Sequence, residues 1–392
     1  MEKRGMAGDV YVVESKRTAI GKRNGKFKNK HPVDLLSDLM KNVVGSNDAY
    51  FPLVEDVIIG CVTQSGEQST NIARNAWLSA GYPESVPGTT IDRQCGSSLQ
   101  AATFASYGIM SGNYDFVVAG GVESMTRVPM YSNFNNGYSP LSEGIRKRYG
   151  MDGGWFSQAA GAEMIAKKWN ISRGDLDNMG ARSHRLAYQS KERTSREIVK
   201  VSSSLDDGTE ILVSEDEGVR EKIDMDKMAK LPPAFPGLTM ITAGNSSQIS
   251  DGASLAILAS KKAVDEHGLR PRARIISSAA VGVDPVTMLT GPIPVTKKVL
   301  QKAGMKIDDI DLFEVNEAFA SVVLAWQKEF HVPSENLNVH GGAIAIGHPL
   351  GATGTRILST MINALEMEKK KTGLIAICEG GGMANGLIVE RL

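Results

Sequence analysis

Cysteine is scarce in this chain of 392 residues, and no two cysteines lie close together in the sequence. The three that occur are Cys61, Cys95 and Cys378. Their odd number and wide spacing disfavour a disulfide framework, and without a C-x-x-C pair nothing indicates a zinc site. These features are typical of a protein from a reducing compartment, and we expect no bound metal.

The chain also lacks an excess of charge of either sign. Lysine plus arginine and aspartate plus glutamate both number 44, so no overall field favours a nucleic acid or an anionic membrane as partner. The apolar stretches are far shorter than a membrane span, and the first residues contain no apolar run of a signal peptide. We therefore expect a cytoplasmic protein that acts on a small molecule, with neither nucleic acid nor membrane as partner.

Short β-branched runs such as VYVVE, VEDVIIG and DFVVAGG alternate with longer Ala-rich or amphipathic segments, including a helical pattern near 33–44. This alternation predicts an α/β fold with a mostly parallel sheet covered by helices. Polar, irregular sequence from about Ser124 to Gly154 predicts an excursion from the sheet.

The alternation resumes from about residue 271, with a helical pattern near 296–303, then IDLFEV, LNVHGG and GLIAICEGGG. The order resembles that of the first half, which favours an internal duplication. The alternative is that any two α/β segments look alike at this level. If the halves match, Cys95 opens a helix in the first half and His348 precedes the matching helix in the second, so both would meet at one site.

Cys95 lies in TTIDRQCGSSLQAATFASYGIM, between a β-rich run and a helical pattern that Ser97 or Ser98 can cap. A thiol just before a helix N-terminus is expected to have a lowered pKa, because the peptide dipoles stabilise an anion there. The position therefore favours a nucleophile. The alternative is a buried structural cysteine.

The glycine-rich stretch GGAIAIGHPLGATG could cradle a phosphate or present an imidazole. Its spacing matches neither the dinucleotide fingerprint nor the phosphate-binding loop. Pro349 favours an extended conformation for His348, the glycines allow a tight turn, and Thr353 is a candidate cap for a helix that runs to about Met367. We interpret His348 as a catalytic imidazole held on a loop.

Two further segments could carry chemistry. In GLIAICEGGGM an apolar strand runs into Cys378, Glu379 and three glycines, whose N–H groups could bind an oxyanion; a tight structural turn is the alternative. In LFEVNEAFA, Asn316 could hold a water or cap the next helix, and capping is the simpler reading.

Taken together, RQCGSSLQA, GGVESMTRVP, GNSSQISDGAS, NEAFA, GGAIAIGHPLGATG and CEGGGMANG resemble the ordered motifs of the thiolase family, over about residues 10 to 392. The resemblance implies duplicated βαβαβαββ halves that form a layered α-β-α-β-α core with an inserted loop domain. The expected limits are 1–123 for the N-terminal half, 124–249 for the loop domain, 250–270 for the return to the first half and 271–392 for the C-terminal half.

The resemblance also implies an acyl-CoA C-acyltransferase of fatty acid or lipid metabolism. Cys95 would be the nucleophile that becomes acylated, His348 its base, and Cys378 the acid/base for the carbon–carbon step. His348 and a water held by Asn316 would bind one oxyanion, and the backbone N–H groups of Cys95 and Gly380 the other. Coenzyme A would enter as substrate or product, no tightly bound cofactor would be needed, and a homodimer or homotetramer is expected.

Five residues would contact coenzyme A by the same resemblance. Ser247 would lie near the pantetheine arm and Arg220 near the nucleotide, although a solvated charge is the alternative for Arg220. The thiol tunnel would be lined by Phe235, Met288 and Phe319.

Three departures from the family pattern bear on specificity and acidity. GSS follows Cys95 where GSG or SSG is common, and Glu379 follows Cys378 where a small or apolar residue is commoner, so that a buried carboxylate could raise the Cys378 pKa. WFSQAAGAEMIAKKW lacks the histidine of acetoacetyl-CoA-specific relatives, which leaves medium, long or branched acyl chains open. The other candidate functions are a catalytically altered acyl-CoA or lipid-binding homologue and a β-ketoacyl synthase relative, which would lack Cys378.

Overall fold

The structure is a computed structural model that describes residues 8–48, 50–134, 139–151 and 155–392. Its strands are β1 Val10–Thr18, β2 Gly21–Lys22, β3 Asp56–Gly60, β4 Gly88–Ile91, β5 Phe116–Ser124, β6 Ile198–Val199, β7 Val201–Ser204, β8 Glu210–Val213, β9 Ser250–Ser260, β10 Ala273–Gly282, β11 Leu312–Val315, β12 Thr372–Glu379 and β13 Met383–Arg391.

The α-helices are α1 Pro32–Val43, α2 Ile72–Ser79, α3 Ser97–Met110, α4 Glu143–Tyr149, α5 Gln158–Lys168, α6 Arg173–Gln189, α7 Lys191–Thr194, α8 Met225–Ala229, α9 Lys261–Glu266, α10 Pro292–Ala303, α11 Ala320–Phe330, α12 Ala343–Ile346 and α13 Thr353–Met367. Short 3-10 helices cover Phe51–Leu53, Gly66–Gln68, Ser132–Phe134, Ile307–Asp309, Ser334–Asn336 and Leu350–Ala352.

The two halves of the chain repeat one pattern of strand pairing. In the first half β3 pairs with β5 in parallel, β5 with β9 antiparallel and β9 with β1 antiparallel. In the second half β11 pairs with β12 in parallel, β12 with β13 antiparallel and β13 with β10 antiparallel. The antiparallel pair of β1 and β10 joins the halves. The predicted duplicated α/β fold is therefore confirmed. The expectation of a mostly parallel sheet was wrong, because the long strands β1, β9, β10 and β13 pair with their neighbours antiparallel.

Helices α3 and α13 form the central layer of the molecule. They pack against each other, and each also contacts strands of both halves. On the outside, α1 packs against β1, β5 and β9, whereas α10 packs against β10, β12 and β13. Because the strands are covered on both faces, they carry continuous apolar runs, and every residue of β5 is buried. The order of layers is the expected α-β-α-β-α.

Residues between β5 and β9 hold α4 to α8 and β6 to β8. This segment is tied to the first half by β6, which pairs with the end of β1, and by the buried guanidinium of Arg17. Arg17 donates to Glu197 Oε1 at 2.6 Å and to both carboxylate oxygens of Asp216 at 2.7 and 2.9 Å. The domain limits given above stay a prediction. No helix of the described residues is long and apolar enough to cross a membrane.

We expect Arg17→Met to lower the free energy of unfolding by about 3–5 kcal/mol, because Glu197 and Asp216 would lose the cation that compensates their burial. The measurement is urea denaturation. Arg193→Met is the matched control: its ion pair with Glu368 is exposed, so the loss should stay below about 1 kcal/mol. Equal losses in the two variants would contradict the anchoring role of Arg17.

Candidate active site

Three loops and the end of strand β12 bring the sequence-predicted catalytic residues to one end of the central layer. Cys95 lies between β4 and α3, His348 just before α13, Asn316 directly after β11 and Cys378 near the end of β12. Since β11 and β12 are parallel neighbours, their carboxyl ends share one edge of the sheet. The backbone N–H of Asn316 donates to Ala376 O at 3.0 Å, which holds Asn316 beside the strand of Cys378.

The loops of Cys95 and His348 belong to different halves and are joined by the first turns of α3 and α13. The Ser98 hydroxyl accepts a hydrogen bond from the backbone N–H of Thr355 at 3.0 Å, so a side chain of α3 caps α13. At Gly354 a β-carbon would overlap with the backbone nitrogen of Leu99 and lie 2.6 Å from its Cβ. Only glycine permits this approach, so Gly354 has a packing role that the sequence did not reveal.

This arrangement corrects the expected capping of both helices. Gly96 is the N-cap residue of α3 and makes no side-chain cap bond. Ser97 instead bonds to the preceding turn: its hydroxyl donates to Gln94 O at 2.6 Å and accepts from Arg93 N at 2.9 Å. Thr353 is the first residue of α13 rather than its cap.

The Cys95 thiol is buried. Burial raises its pKa by more than the position before a helix N-terminus lowers it. Burial, followed by the Glu379 carboxylate whenever it is ionised, raises the pKa of Cys95 to about 12, although the backbone N–H of Gly380 acts on the sulfur in the opposite direction. The expectation of a lowered pKa was therefore wrong for the unliganded site. Cys95 is a neutral thiol that needs a base during attack.

His348 is such a base, and its hydrogen bonds define the tautomer. The Thr353 hydroxyl donates to Pro349 O at 2.9 Å, so at 2.7 Å it accepts from Nδ1–H of His348. Nε2 then keeps its lone pair and faces Nδ2 of Asn316 at 3.4 Å. Burial, followed by the charge of Arg356, lowers the pKa of His348 to about 3. The imidazole is neutral, and its unprotonated Nε2 accepts the long hydrogen bond from Asn316, which it must give up when it takes a proton.

Asn316 does not cap α11, so the simpler reading of this residue was wrong. The N-cap residue is Phe319, without a side-chain cap bond. Oδ1 of Asn316 is buried and has no hydrogen-bond partner among the described residues. A buried amide oxygen without a donor fits the binding of a water.

Cys378 is fully buried at the end of β12. Burial, then the charge of Cys95, then that of Glu379 raise its pKa well above the usual range. The two thiols are thus within electrostatic reach of each other, and Gly380 of the following turn bonds to the first of them. The structure brings the segments of the five predicted catalytic residues together: Cys95, His348, Cys378, Asn316 and Gly380. Their individual roles stay predictions.

Sequence reasoning missed Glu123, which lies near the end of β5. Its carboxylate accepts hydrogen bonds from Val62 N at 2.9 Å, Thr63 N at 3.0 Å, Gly351 N at 2.9 Å and Gln68 Nε2 at 3.0 Å. Burial raises its pKa, whereas these donors act in the opposite direction. Glu123 therefore fixes the loop after β3 to the loop of His348. In the sequence, an acidic residue at the end of an apolar strand was the feature that could have indicated this role.

Two aromatic residues of the irregular segment were also missed. Tyr131 has a positive φ of 69°, and the pKa of its phenol is raised by burial and by the charge of Cys95. The ring of Trp155 lies 3.7 Å from the position that a β-carbon of Gly381 would take. Trp155 therefore lies beside the turn that follows Cys378, whereas Tyr131 is 41% exposed and interacts electrostatically with Cys95. Their aromatic character within a polar stretch was the only sign.

The residues expected to contact coenzyme A are spread over different surroundings. The backbone N–H of Ser247 donates to Ala318 O at 2.9 Å, and Ser246 forms an isolated antiparallel β-bridge with Phe319. These residues therefore lie beside the Asn316 segment. Two others lie at the surface. Phe235 is 59% exposed, and Arg220 is also exposed, with its backbone N–H donating to His184 Nδ1 at 3.2 Å. Met288 is fully buried and has a φ of 50°. Their binding roles stay predictions.

Comparison with known proteins gives consistent results over nearly the whole chain. The family model "Thiolase, N-terminal domain" matches residues 10–262, and "Thiolase, C-terminal domain" matches residues 269–391. A steroid 3-ketoacyl-CoA thiolase, FadA6, of Mycobacterium tuberculosis is 47% identical over 98% of this chain and 94% of its own. A 3-ketoacyl-CoA thiolase of Idiomarina loihiensis is 41% identical over 98% of this chain and 100% of its own.

A solved structure gives the same relationship in three dimensions. The acetyl-CoA acetyltransferase of Bacillus anthracis superimposes with a TM-score of 0.90 at 34% identity, covering 99% of this chain and 100% of that chain.

We expect Glu123→Gln to lower the free energy of unfolding by about 1–3 kcal/mol for each donor it leaves unpaired, because in either orientation the new NH₂ group would face two N–H donors. Thermal and urea denaturation measure this. Glu210→Gln is the control, since Glu210 is exposed and should change stability by less than about 0.5 kcal/mol. A Glu123→Gln variant as stable as this control would refute the anchoring by Glu123.

Proposed function

The chain belongs to the thiolase family, and we propose that it acts as a 3-ketoacyl-CoA thiolase in which Cys95, His348 and Cys378 carry the chemistry. One observation carries the proposal: two buried thiols from the two halves of the chain are each followed by a residue that contacts the other segment, since a β-carbon at Gly96 would overlap with Oε1 of Glu379. A reaction that alternates between attack on a thioester and proton transfer at carbon needs two such groups.

Acylation begins with proton transfer from Cys95 to Nε2 of His348 as the sulfur attacks the keto carbon. A thiol of pKa about 12 and an imidazole of pKa about 3 hold no appreciable ion pair before substrate binds, so transfer and attack occur together. The oxyanion that forms is bound by the N–H groups of Cys95 and Gly380. Each well-placed donor contributes about 3 kcal/mol to lowering the barrier.

Cleavage of the carbon–carbon bond leaves acetyl-CoA as an enolate. The Cys378 thiol supplies the proton to its carbon, because the raised pKa keeps the sulfur protonated until a stronger base appears beside it. A water held by Oδ1 of Asn316 can donate its second hydrogen to the enolate oxygen, together with His348. Coenzyme A then attacks the acyl-Cys95 thioester and gives its thiol proton to the Cys378 thiolate. The Cys95 sulfur leaves and regains its proton from His348, and the shortened acyl-CoA is released. Condensation runs through the same steps in reverse.

Acyl-CoA is the substrate class, and the chain length belongs to the proposal. The sequence lacks the histidine that marks acetoacetyl-CoA-specific relatives, and Trp155 offers an apolar ring beside the turn that follows Cys378. We therefore propose 3-ketoacyl groups longer than acetoacetyl. Coenzyme A would extend past Ser247 and Phe319 toward Phe235 and Arg220, with Met288 behind the tunnel wall, and would be exchanged rather than held as a cofactor.

A catalytically altered acyl-CoA or lipid-binding homologue is the second candidate, and a β-ketoacyl synthase relative the third. The unprotonated Nε2 of His348, held only by a long hydrogen bond from Asn316, and the unpaired Oδ1 of Asn316 favour catalysis over binding alone. Cys378 favours a thiolase over a synthase.

We further propose that the protein works in the cytoplasm as a homo-oligomer built on a dimer. The central helix α3 exposes three large apolar side chains on one side, Phe104 at 41%, Tyr107 at 45% and Met110 at 43%. Strand β4 ends the order of the sheet, so its outer edge has no neighbour among the described strands. An exposed apolar face beside an open sheet edge favours association of identical chains.

Cys95→Ser should lower the rate of CoA-dependent cleavage of 3-ketoacyl-CoA by about a thousand-fold or more and abolish the covalent acyl adduct. Cys378→Ser should still form the adduct from an acyl-CoA but should stall at carbon–carbon bond cleavage. Intact-protein mass spectrometry and product release with substrates of graded chain length separate these outcomes. Cys61→Ala is the matched control, because Cys61 is also buried but has no proposed role. Normal turnover by both serine variants would refute the assignment.

Phe104→Glu combined with Met110→Glu should shift the protein toward monomer in size-exclusion chromatography with light scattering, because a charge would replace apolar contact on α3. Leu212→Glu is the control: Leu212 is 58% exposed but lies on β8, which pairs with β7 in a separate two-stranded sheet. A wild-type protein that runs as a monomer would contradict the proposed dimer.

A further inference from the structure

Glu379, between Cys378 and Gly380, is a fully buried carboxyl that the proposed mechanism does not use. Neither of its oxygens accepts a hydrogen bond from any described residue. This is unusual for a buried carboxylate, since leaving such a charge unpaired costs several kcal/mol. Glu123 in the first half shows the alternative, because its two oxygens accept four donors.

Asn385 on β13 lies beside Glu379, and its side-chain oxygen also lacks a hydrogen-bond donor among the described residues. Its Nδ2 donates to the carbonyl oxygen of Gly96 at 3.0 Å, which fixes the orientation of the amide, while Oδ1 is buried without a donor. A β-carbon at Gly96 would overlap with Oε1 of Glu379 and lie 2.7 Å from Oδ1 of Asn385. Both oxygens therefore lie against the same point of the backbone, directly after Cys95.

Two unsatisfied acceptors that face one point are stabilised together when one of them carries a proton and donates it to the other. An amide oxygen cannot hold a proton at ordinary pH, whereas a carboxyl can. We propose that Glu379 is a positioning residue that stays protonated and donates to Oδ1 of Asn385, so that the chain from Glu379 through Asn385 to Gly96 O holds the oxyanion-binding N–H groups in place. This inference rests on the proposed thiolase function.

These hydrogen bonds would control the positions of both oxyanion-binding N–H groups, those of Cys95 and Gly380. The bond from Asn385 to Gly96 O fixes the peptide that follows Cys95, and Gly380 follows Glu379 directly. Gly380 also bonds to the Cys95 sulfur. A carboxyl hydrogen bond at this point therefore sets how the two N–H groups converge, without touching the substrate.

The charged and titratable groups around Glu379 are Cys95, Cys378, Arg93 and Asp92. Burial and Asp92 raise the pKa of Glu379, whereas Arg93 lowers it. Arg93 forms no ion pair with Glu379 within the described chain, and its Nη1 contacts the sulfur of Met383 at 4.0 Å. An ionised Glu379 would add a negative charge beside both thiols and the developing oxyanion, so we expect activity to fall as pH rises through its pKa.

Glu379→Gln tests the idea, because its amide NH₂ can donate to Asn385 at every pH. The expected kcat/KM near pH 7 stays within about three-fold of wild type, while the alkaline decline of wild type that comes from Glu379 disappears. Glu379→Leu, which keeps the bulk but cannot donate, should lose at least about ten-fold in kcat at all pH values. A Gln variant as impaired as the Leu variant, or one with an unchanged alkaline limb, would overturn the proposal.

Two measurements on the free protein separate this proposal from the thiolase assignment. The infrared difference spectrum between wild type and Glu379→Gln should contain the carbonyl stretch of a protonated carboxyl near pH 7. The melting temperature of Glu379→Gln relative to wild type should rise with pH, because an acid with a raised folded pKa loses stability between its unfolded and folded pKa values.

Glu123→Gln serves as the matched buried-carboxyl control and should lower the melting temperature at all these pH values. If the infrared band is present but no 3-ketoacyl-CoA is cleaved, the proposed function fails and the protonated carboxyl stands. An ionised carboxylate signal in an active enzyme would refute the positioning role alone.

Discussion

The contact between the first turns of α3 and α13 is the constraint on which the site depends. Ser98 caps the other helix at Thr355, and Gly354 lets the backbones approach at Leu99. These helices come from the two halves of the duplicated fold, and each begins next to a candidate catalytic residue. A single buried interface therefore fixes the relative positions of the Cys95 thiol and the His348 imidazole. Glu123, near the end of β5, holds the His348 loop in the same arrangement.

Burial decides the charge state of the whole site. It raises the pKa of Cys95 and Cys378, lowers that of His348 and raises that of Glu379. Every one of these shifts favours the neutral form. The resting site is thus a set of uncharged acids and bases whose protons move only when substrate supplies or removes charge, which suits thioester chemistry in a site where a free thiolate would otherwise react with unwanted electrophiles.

Much of the fold and of the candidate site could be predicted from the sequence, because apolar periodicity and ordered motifs are local properties. The errors share one cause. Capping by Ser97, Thr353 and Asn316 was inferred from sequence position alone, whereas the backbone turn and the packing around each residue give other partners: Ser97 bonds to the preceding turn, Thr353 binds the His348 ring, and Asn316 faces that ring. The lowered pKa expected for Cys95 failed because a helix terminus was weighed without the burial around it.

The sequence by itself determined the family, the duplicated α/β architecture and the types of side chain available, since these follow from residue order. Only the tertiary structure decided which ring nitrogen of His348 is free, that Asn316 keeps an unpaired oxygen and that Glu379 meets Asn385 across Gly96. The physical reason is that protonation and hydrogen bonding depend on distance and solvent exclusion, and both arise only when segments far apart in the chain pack together.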